Sequence, residues 1–279
     1  MNVVGYRCKP SLGANIRCVL SKGLAISSLV VFVSACQTIN GMGNFGANGE
    51  DNKPGALSLA EQTLISAGQE AEVAHKYDVA ANAYGRLFER RPDDSLVLVP
   101  FIRNMRYSDR AKEISQFIDV NARHLLGDVH VKFEYAKVLL AAGRKLEALA
   151  ALQELAIVTP KDWKVYSAMG IALDAMGKSS QAMKAYKQAL DYSPENVVVM
   201  NNLAMSQAMN GQLSEAIKTL ENAASINRKN AHVRQNLALL YAVNGDVEKA
   251  KSLAAMDLSS SDVEANLSFY RRFEGIQHE

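Results

Sequence analysis

Cysteine and histidine are scarce in this chain, and their positions argue against the common catalytic and metal-binding sites. All three cysteines, Cys8, Cys18 and Cys36, lie in the first 36 of 279 residues. The remaining chain has no thiol for a disulfide, a thiolate nucleophile or a metal site. The five histidines show no HExxH or similar spacing. We therefore predict no enzymatic activity, no catalytic residue, no metal site and no dissociable cofactor.

A long apolar run is also missing. Gly23–Val33 holds about eleven mostly apolar residues, which suits the ~7–15 residues of a signal-peptide core and is too short to span a bilayer. Four basic residues and no acidic residue precede Cys36. The run ends in Val33-Ser34-Ala35-Cys36, which resembles the bacterial lipobox. We predict a lipoprotein signal peptide over residues 1–35 and a covalent acyl lipid on Cys36; an ordinary signal peptide with an incidental cysteine is the alternative.

The predicted cleavage also changes the charge balance. Removing four basic residues takes the formal net charge from +2 to about −2, so the sequence gives no electrostatic footprint for nucleic acid. Residues 36–57 are rich in Gly and Asn and read as a flexible linker behind the lipid. Gly41–Gly46 within it spells GxGxxG, but no strand and helix pattern flanks it, so a dinucleotide site is the weaker interpretation. Gln37 after the cysteine, by analogy with Gram-negative lipoproteins, favours the periplasmic face of the outer membrane.

Glycine and alanine recur at a fixed interval beyond the linker. Gly143, Gly177, Gly211 and Gly245 are 34 residues apart, and an alanine follows each of them five positions later. A period of this length resembles the tetratricopeptide repeat (TPR), a helix–turn–helix unit that buries its apolar face only by stacking on its neighbours. The resemblance implies an all-α, right-handed α-solenoid of about six TPR repeats with a C-terminal capping helix. It favours a binding scaffold over an enzyme.

Trp163–Asn196 is the best-formed unit. We predict that Gly170 lets the second helix approach closely, and that Gly177 ends the first helix with a positive φ. Counting by 34 over residues 58–272 gives repeats 61–94, 95–128, 129–162, 163–196, 197–230 and 231–258, and a cap over 261–272. The repeat 95–128 is degenerate, because it keeps the length but loses most small residues. Ser261 and Glu264 have the spacing of a capping box.

The first helices of TPR arrays line a concave face, mainly at the second, fifth, ninth and twelfth repeat positions. We therefore predict a partner-binding groove whose residues are Phe133, Lys137, Leu140, Ile171, Asn201, Asn202, Met205, Gln235, Asn236 and Leu239. The ninth position is apolar in three units (Ile171, Met205 and Leu239), which suits an amphipathic helix or apolar peptide with an acidic flank towards Lys137 and Lys164. The alternative is that this apolar stripe is packing between helices.

The C-terminal third carries a more specific resemblance. The residues that carry it are similar to the tight-adherence (Tad/Flp) pilus assembly TPR lipoproteins of the TadD type. They are Asn201-Asn202-Leu203-Ala204 with Gly211 and Ala216, the run from Val233 to Tyr241 with Gly245-Asp246, and the ending Asp257-Leu258 with Val263 to Tyr270. That resemblance implies a pilotin-like assembly factor whose protein partner is the pilus secretin or another Tad component. A general cell-envelope scaffold, serving peptidoglycan enzymes or outer-membrane protein assembly, is the alternative.

Overall fold

The computed structural model describes the backbone of residues 57–274 and the side chains of residues 57–267. The predicted signal peptide, Cys36 and nearly all of the linker lie outside the described residues. Within them, no helix combines the length and the apolar character that crossing a membrane requires. The described residues form helices and turns without a strand, and the predicted all-α fold of TPR helix–turn–helix repeats is confirmed.

Thirteen α-helices follow one another in the described residues. They are α1 (Leu59–Val73), α2 (Tyr77–Arg90), α3 (Ser95–Tyr107), α4 (Ala111–Phe117), α5 (Val129–Ala141), α6 (Lys145–Val158), α7 (Trp163–Ala175), α8 (Ser179–Tyr192), α9 (Val197–Met209), α10 (Leu213–Ile226), α11 (Ala231–Val243), α12 (Val247–Ala254) and α13 (Ser260–Glu274). From α3 to α11, each first helix of a hairpin begins 34 residues after the previous one.

A side-chain cap fixes the start of each of these first helices. The residues before α3, α5, α7, α9 and α11 accept a hydrogen bond from a backbone N–H of the first turn; they are Asp94, Asp128, Asp162, Asn196 and Asn230. Such a cap satisfies a donor that the helix itself leaves unpaired. The beginning of each repeat is therefore a local property of the sequence.

The turn inside each hairpin holds one residue in the left-handed conformation. Gly177 has a φ of 74°, as predicted, and the equivalent glycines of three other repeats also have positive φ angles. His75 (φ 54°) and Asp109 (φ 60°) occupy this position in the first two repeats. The 34-residue period therefore persists in the backbone where glycine is absent from the sequence.

The described chain divides into two compact units, residues 57–161 and residues 162–274. In the N-terminal unit, the core contains Leu98, Ile102, Ile114 and Leu139, each at most 1 % exposed. In the C-terminal unit, the core runs from α9 through α12 and ends on α13. Each core is formed by helices of successive hairpins, as expected for units that cannot bury their apolar faces alone.

Two close helix contacts depend on glycine. A Cβ at Gly170 would lie 2.6 Å from Cζ of Tyr186, and a Cβ at Gly68 would lie 2.6 Å from Cζ of Tyr84. Both distances are below any normal van der Waals contact, so the tyrosine ring occupies the space that a side chain would need. The close approach predicted at Gly170 is confirmed.

The degenerate repeat is irregular in its second half. The helix α4 ends at Phe117 and is followed by a π-helical turn (Ile118–Ala122) and a 3-10 turn (Arg123–Gly127). Ile102 and Ile114 occupy the positions that Gly170 and Ala182 hold in the fourth repeat. A contact between two isoleucines cannot close as far as one between glycine and alanine, so the second helix departs from the regular geometry.

The C-terminal helix starts earlier than the sequence suggested. The helix α13 begins at Ser260, and the hydroxyl of Ser259 accepts a hydrogen bond from the Asp262 N–H at 3.3 Å. The capping interaction therefore involves Ser259 with Asp262 and not the predicted pair of Ser261 and Glu264. Val263 and Leu267 are 2 % and 3 % exposed, and they cover the end of the C-terminal core.

Candidate functional site

The predicted groove residues fall in both units, and the apolar stripe of the C-terminal unit is not open to solvent. Met205 is 5 % exposed and Leu239 is 6 % exposed, and both belong to the C-terminal core. The prediction that they form an exposed stripe is wrong, because both side chains pack in the core that α9 to α13 form together. Ile171 remains partly exposed.

Most of the predicted amide groups have partners within the chain. Asn236 donates from Nδ2 to Oδ1 of Asn201 at 2.8 Å, and Gln235 donates from Nε2 to Oδ2 of Asp257 at 3.1 Å. Within the described residues, only Nδ2 of Asn202 is a buried amide nitrogen without a hydrogen-bond partner. These amides therefore tie α9, α11 and the segment before α13 together, and their main contribution is to the structure.

A shared hydrogen-bond arrangement explains another polar position on the first helices. In the C-terminal unit, Asp174 accepts from the hydroxyl of Tyr186 at 3.0 Å and from that of Ser206 at 2.8 Å. Burial, and then the charge of Asp174, raise the pKa of Tyr186 well above its usual value. The residues 102 positions earlier, Glu72, Tyr84 and Asn104, form the equivalent set in the N-terminal unit. Each of these two carboxylates joins its hairpin to the following one.

The predicted groove residues of the N-terminal unit lie on α5. Phe133, Lys137 and Leu140 are all partly buried. The ammonium of Lys137 lies 5.2 Å from the ring centroid of Phe133 and donates to Oε1 of Glu134 at 2.8 Å. The aromatic ring and the cation therefore form one mixed surface.

Glu134 brings two further cations to this surface. Nε of Arg103 lies 3.6 Å from Oε1 of Glu134, and Nη2 of Arg106 lies 3.7 Å from Oε2. Both arginines come from α3, the neighbouring first helix in the same unit. We call Arg103, Arg106 and Lys137 the basic cluster. It is built from two adjacent helices, so its geometry does not depend on a loop.

The basic cluster determines the charge state of the buried acid. The Glu134 side chain is 8 % exposed. Burial by itself would raise the pKa of Glu134, but the positive charges of Lys137, Arg106 and Arg103 outweigh it and hold the pKa below its usual value. Glu134 is therefore an ionised carboxylate shared among three cations.

The repeat positions of these cations in the sequence could have predicted the cluster. Arg103 and Lys137 are 34 residues apart and both occupy the ninth repeat position, while Arg106 occupies the twelfth. Arg103 and Arg106 lie in the degenerate repeat, whose surface the repeat pattern describes poorly. Glu134 was missed because it lies between the expected groove positions.

The described residues hold no group of three or more His, Cys, Asp or Glu side chains arranged to bind a metal ion. The titratable groups with altered pKa values belong to hydrogen-bonded pairs between or within helices. Tyr135, for example, donates to Asp119, which also accepts from Arg144 at 2.6 Å. The basic cluster is the most distinctive charged feature of the candidate site.

Comparison with known proteins identifies the repeats. The family profile described as "Tetratricopeptide repeat" matches residues 175–223 and 207–260. No curated protein matches the sequence significantly.

Solved structures are similar in fold at low sequence identity. PilF of Pseudomonas aeruginosa has a TM-score of 0.58 and 18 % identity, and the match covers 77 % of this chain and 97 % of PilF. TTC0263 of Thermus thermophilus has a TM-score of 0.50 and 18 % identity, with 75 % and 98 % of the two chains covered. MamA of AMB-1 has a TM-score of 0.50 and 18 % identity, with 61 % and 99 % covered. Residues 175–260 therefore match tetratricopeptide repeats, and the described residues have the TPR fold.

Proposed function

We propose that this protein is a lipid-anchored TPR scaffold on the periplasmic face of the outer membrane. In this proposal it serves as a pilotin-like assembly factor for the Tad/Flp pilus machinery, and it binds the secretin or another assembly component. The observation that carries the proposal is the sequence resemblance of the C-terminal third to the Tad-type lipoproteins. The lipobox-like sequence at Cys36 supports the anchoring.

The segments that carry the C-terminal resemblance lie close together in the structure. Its two later segments are adjacent, because Arg234 on α11 donates from Nε to Oδ2 of Asp257 at 2.9 Å, and Gln235 donates to the same carboxylate. Asp257 lies just before the capping helix α13. The resembling residues therefore form one contiguous end of the C-terminal unit, where a family-specific surface would be located.

A deletion strain tests the proposal. Loss of the gene is expected to abolish surface Flp pili and to reduce the secretin multimer in the outer membrane, and the wild-type gene is expected to restore both. Genes for a pilin, a secretin and a secretion ATPase beside this gene would add support. Normal pili and normal secretin multimers in the deletion strain would refute the proposal. Altered cell shape or outer-membrane protein content with normal pili would favour a general envelope scaffold instead.

A further inference from the structure

The basic cluster has more positive charge than its surroundings neutralise. Arg103, Arg106 and Lys137 share one carboxylate, Glu134, and with Glu72 counted as well the three cations still exceed the two carboxylates by one charge. Glu72 on α1 is the other carboxylate of this region, and it accepts hydrogen bonds from Asn104 and Tyr84. Cations that are recessed in the protein surface produce a strong local potential, because the protein around them screens charge poorly. The cluster therefore attracts a further anion.

The hydrogen bonding of the cluster is also incomplete. Nε and Nη2 of Arg106 and Oε2 of Glu134 are buried and have no hydrogen-bond partner among the described residues. Nη2 and Oε2 face each other at 3.7 Å, which is beyond hydrogen-bond distance. The Arg106 side chain is only 7 % exposed, and a buried charged donor without a partner is costly. Glu134 is held away from Arg106 because its other oxygen is bonded to Lys137.

We propose that the basic cluster binds a side-chain carboxylate of an acidic peptide segment in the partner protein. The incoming carboxylate replaces Oε1 of Glu134 on Lys137 and Arg103, which are the two more exposed cations. Glu134 is then released to pair with Arg106, so that the unpaired donor and the unpaired acceptor satisfy each other. This inference rests on the proposed function and specifies the chemistry that the partner must have.

The neighbouring side chains specify the residue type next to the acid. Phe133 and Leu140 are partly exposed on the same helix as Lys137. They provide an apolar surface beside the cations, so the fitting segment has Asp or Glu next to Leu, Ile or Phe. An anionic membrane surface fits less well. Arg106 and Lys137 are 7 % and 15 % exposed, so a flat lipid surface reaches only Arg103, which is 38 % exposed.

Direct binding measurements on the full-length chain in a nonionic detergent test this inference. The probes are peptides that alternate Glu or Asp with Leu or Phe and carry an uncharged fluorophore. They are acetylated and amidated at the ends, so that only the acidic side chains carry charge. The control peptides carry Gln or Asn at the acidic positions. We expect saturable binding of the acidic peptides, weakened by salt, and no saturable binding of the neutral peptides.

The decisive variant is Arg103→Gln combined with Lys137→Gln. It leaves Arg106 beside Glu134, so the buried carboxylate stays compensated and the fold is retained, as checked by circular dichroism. We expect the affinity for the acidic peptides to fall at least about tenfold, because two charge-assisted hydrogen bonds are lost. The matched control is Arg86→Gln with Lys112→Gln, two exposed cations of the same unit, and its affinity is expected to stay within about twofold because distant surface charges are screened.

Three outcomes would overturn the inference: no saturable binding of any acidic peptide, equal binding of the neutral peptides, or equal affinity of the two double variants. If the variant R103Q/K137Q lost binding to phosphatidylglycerol vesicles but bound the peptides as the wild type does, the cluster would be assigned to lipid instead. These failures are distinct from failure of the proposed function. Normal pili in the deletion strain refute that function whatever the peptides do, whereas unaltered peptide binding by R103Q/K137Q refutes only the role of the cluster.

Discussion

Single residues at the contact between helices set the spacing within a repeat. The ring of Tyr186 is 2 % exposed and lies where a side chain on Gly170 would be, and its hydroxyl is fixed by Asp174. The ring therefore cannot turn away without losing both its packing and its hydrogen bond. Even the smallest side chain at Gly170 forces the two helices apart.

We predict that Gly170→Ala lowers the free energy of unfolding by about 1–3 kcal/mol, the usual effect of overpacking. Urea denaturation followed by circular dichroism measures it. Gly127→Ala is the matched control, because a Cβ there has no neighbour within 4 Å, and we expect it to be nearly neutral. If Gly170→Ala were as stable as the wild type, the tyrosine ring would have to be mobile.

The residue in the left-handed turn also affects the stability of its repeat. Here a substitution to glycine is expected to stabilise the protein, whereas Gly170→Ala destabilises it. Asp109 adopts a φ of 60° without being glycine. Non-glycine residues lose roughly 1–2 kcal/mol in this conformation, although Asp tolerates it better than most. We expect Asp109→Gly to raise the denaturation midpoint and Gly177→Ala to lower it. A lower midpoint for Asp109→Gly would mean that the Asp109 side chain has a stabilising contact.

Glu134 makes the stability of the N-terminal unit depend on acid pH. Its pKa is lower in the folded chain than in the unfolded one. Its contribution is therefore complete above the unfolded pKa of about 4.3 and is lost as the pH falls through the folded pKa. Glu134→Gln should be less stable at pH 7, on the order of 3–5 kcal/mol, because three cations lose their counter-ion.

Thermal melts between pH 7 and pH 3 check this dependence. The difference in melting temperature between the wild type and Glu134→Gln is expected to shrink as the pH falls below about 4. Other carboxylates with lowered pKa values, such as Asp119 and Asp257, are present in both proteins and cancel in the comparison. A difference that is constant with pH would contradict an ionised Glu134.

At the scale of elements, the C-terminal helix α13 closes the core of its unit. Leu267 is 3 % exposed and packs on the core that α11 and α12 share. The ion pair between Lys251 and Glu264 on the surface of this helix is 51 % and 57 % exposed and contributes little. The cap therefore depends on apolar burial.

We predict that Leu267→Ala lowers the free energy of unfolding by about 2–5 kcal/mol, as is usual for a buried leucine. Lys251→Ala, on the same helix contact, should change it by less than about 1 kcal/mol. Urea denaturation of the two variants in parallel measures both changes in the free energy of unfolding. Equal effects would show that α13 is held by its surface charges.

The elements also show why some of them could be predicted and others could not. The first helices begin where Asp or Asn caps recur, and the turns follow from glycine, so local sequence was sufficient for both. The degenerate repeat was recognised as irregular, but its π and 3-10 turns were not foreseen. They follow from how Ile102 and Ile114 pack, which is a tertiary property.

At the scale of the whole molecule, the anchor is the part of the proposal that depends least on the fold. Cys36 lies outside the described residues, so the prediction rests on the lipobox-like sequence. Cys36→Ser is expected to abolish labelling with a fatty-acid analogue and to leave an unprocessed or mislocalised precursor. Undiminished labelling of this variant would sink the lipoprotein assignment. Because Cys36 precedes the predicted repeats, the variant is expected to fold like the wild type, and a circular dichroism spectrum of the variant is the control.

The sequence by itself determined the all-α repeat fold, the 34-residue spacing of the helices and the close contact at Gly170, because caps, turn glycines and small residues act over a few neighbouring positions. Tertiary structure decided which predicted groove residues reach the surface. Met205 and Leu239 are buried, since they pack in the core that successive helices of the C-terminal unit form together. Arg103 and Arg106 became a site only when α3 packed beside α5 and placed both around Glu134. Burial and charge neighbours depend on contacts between helices that are distant in sequence, and a repeat pattern does not specify them.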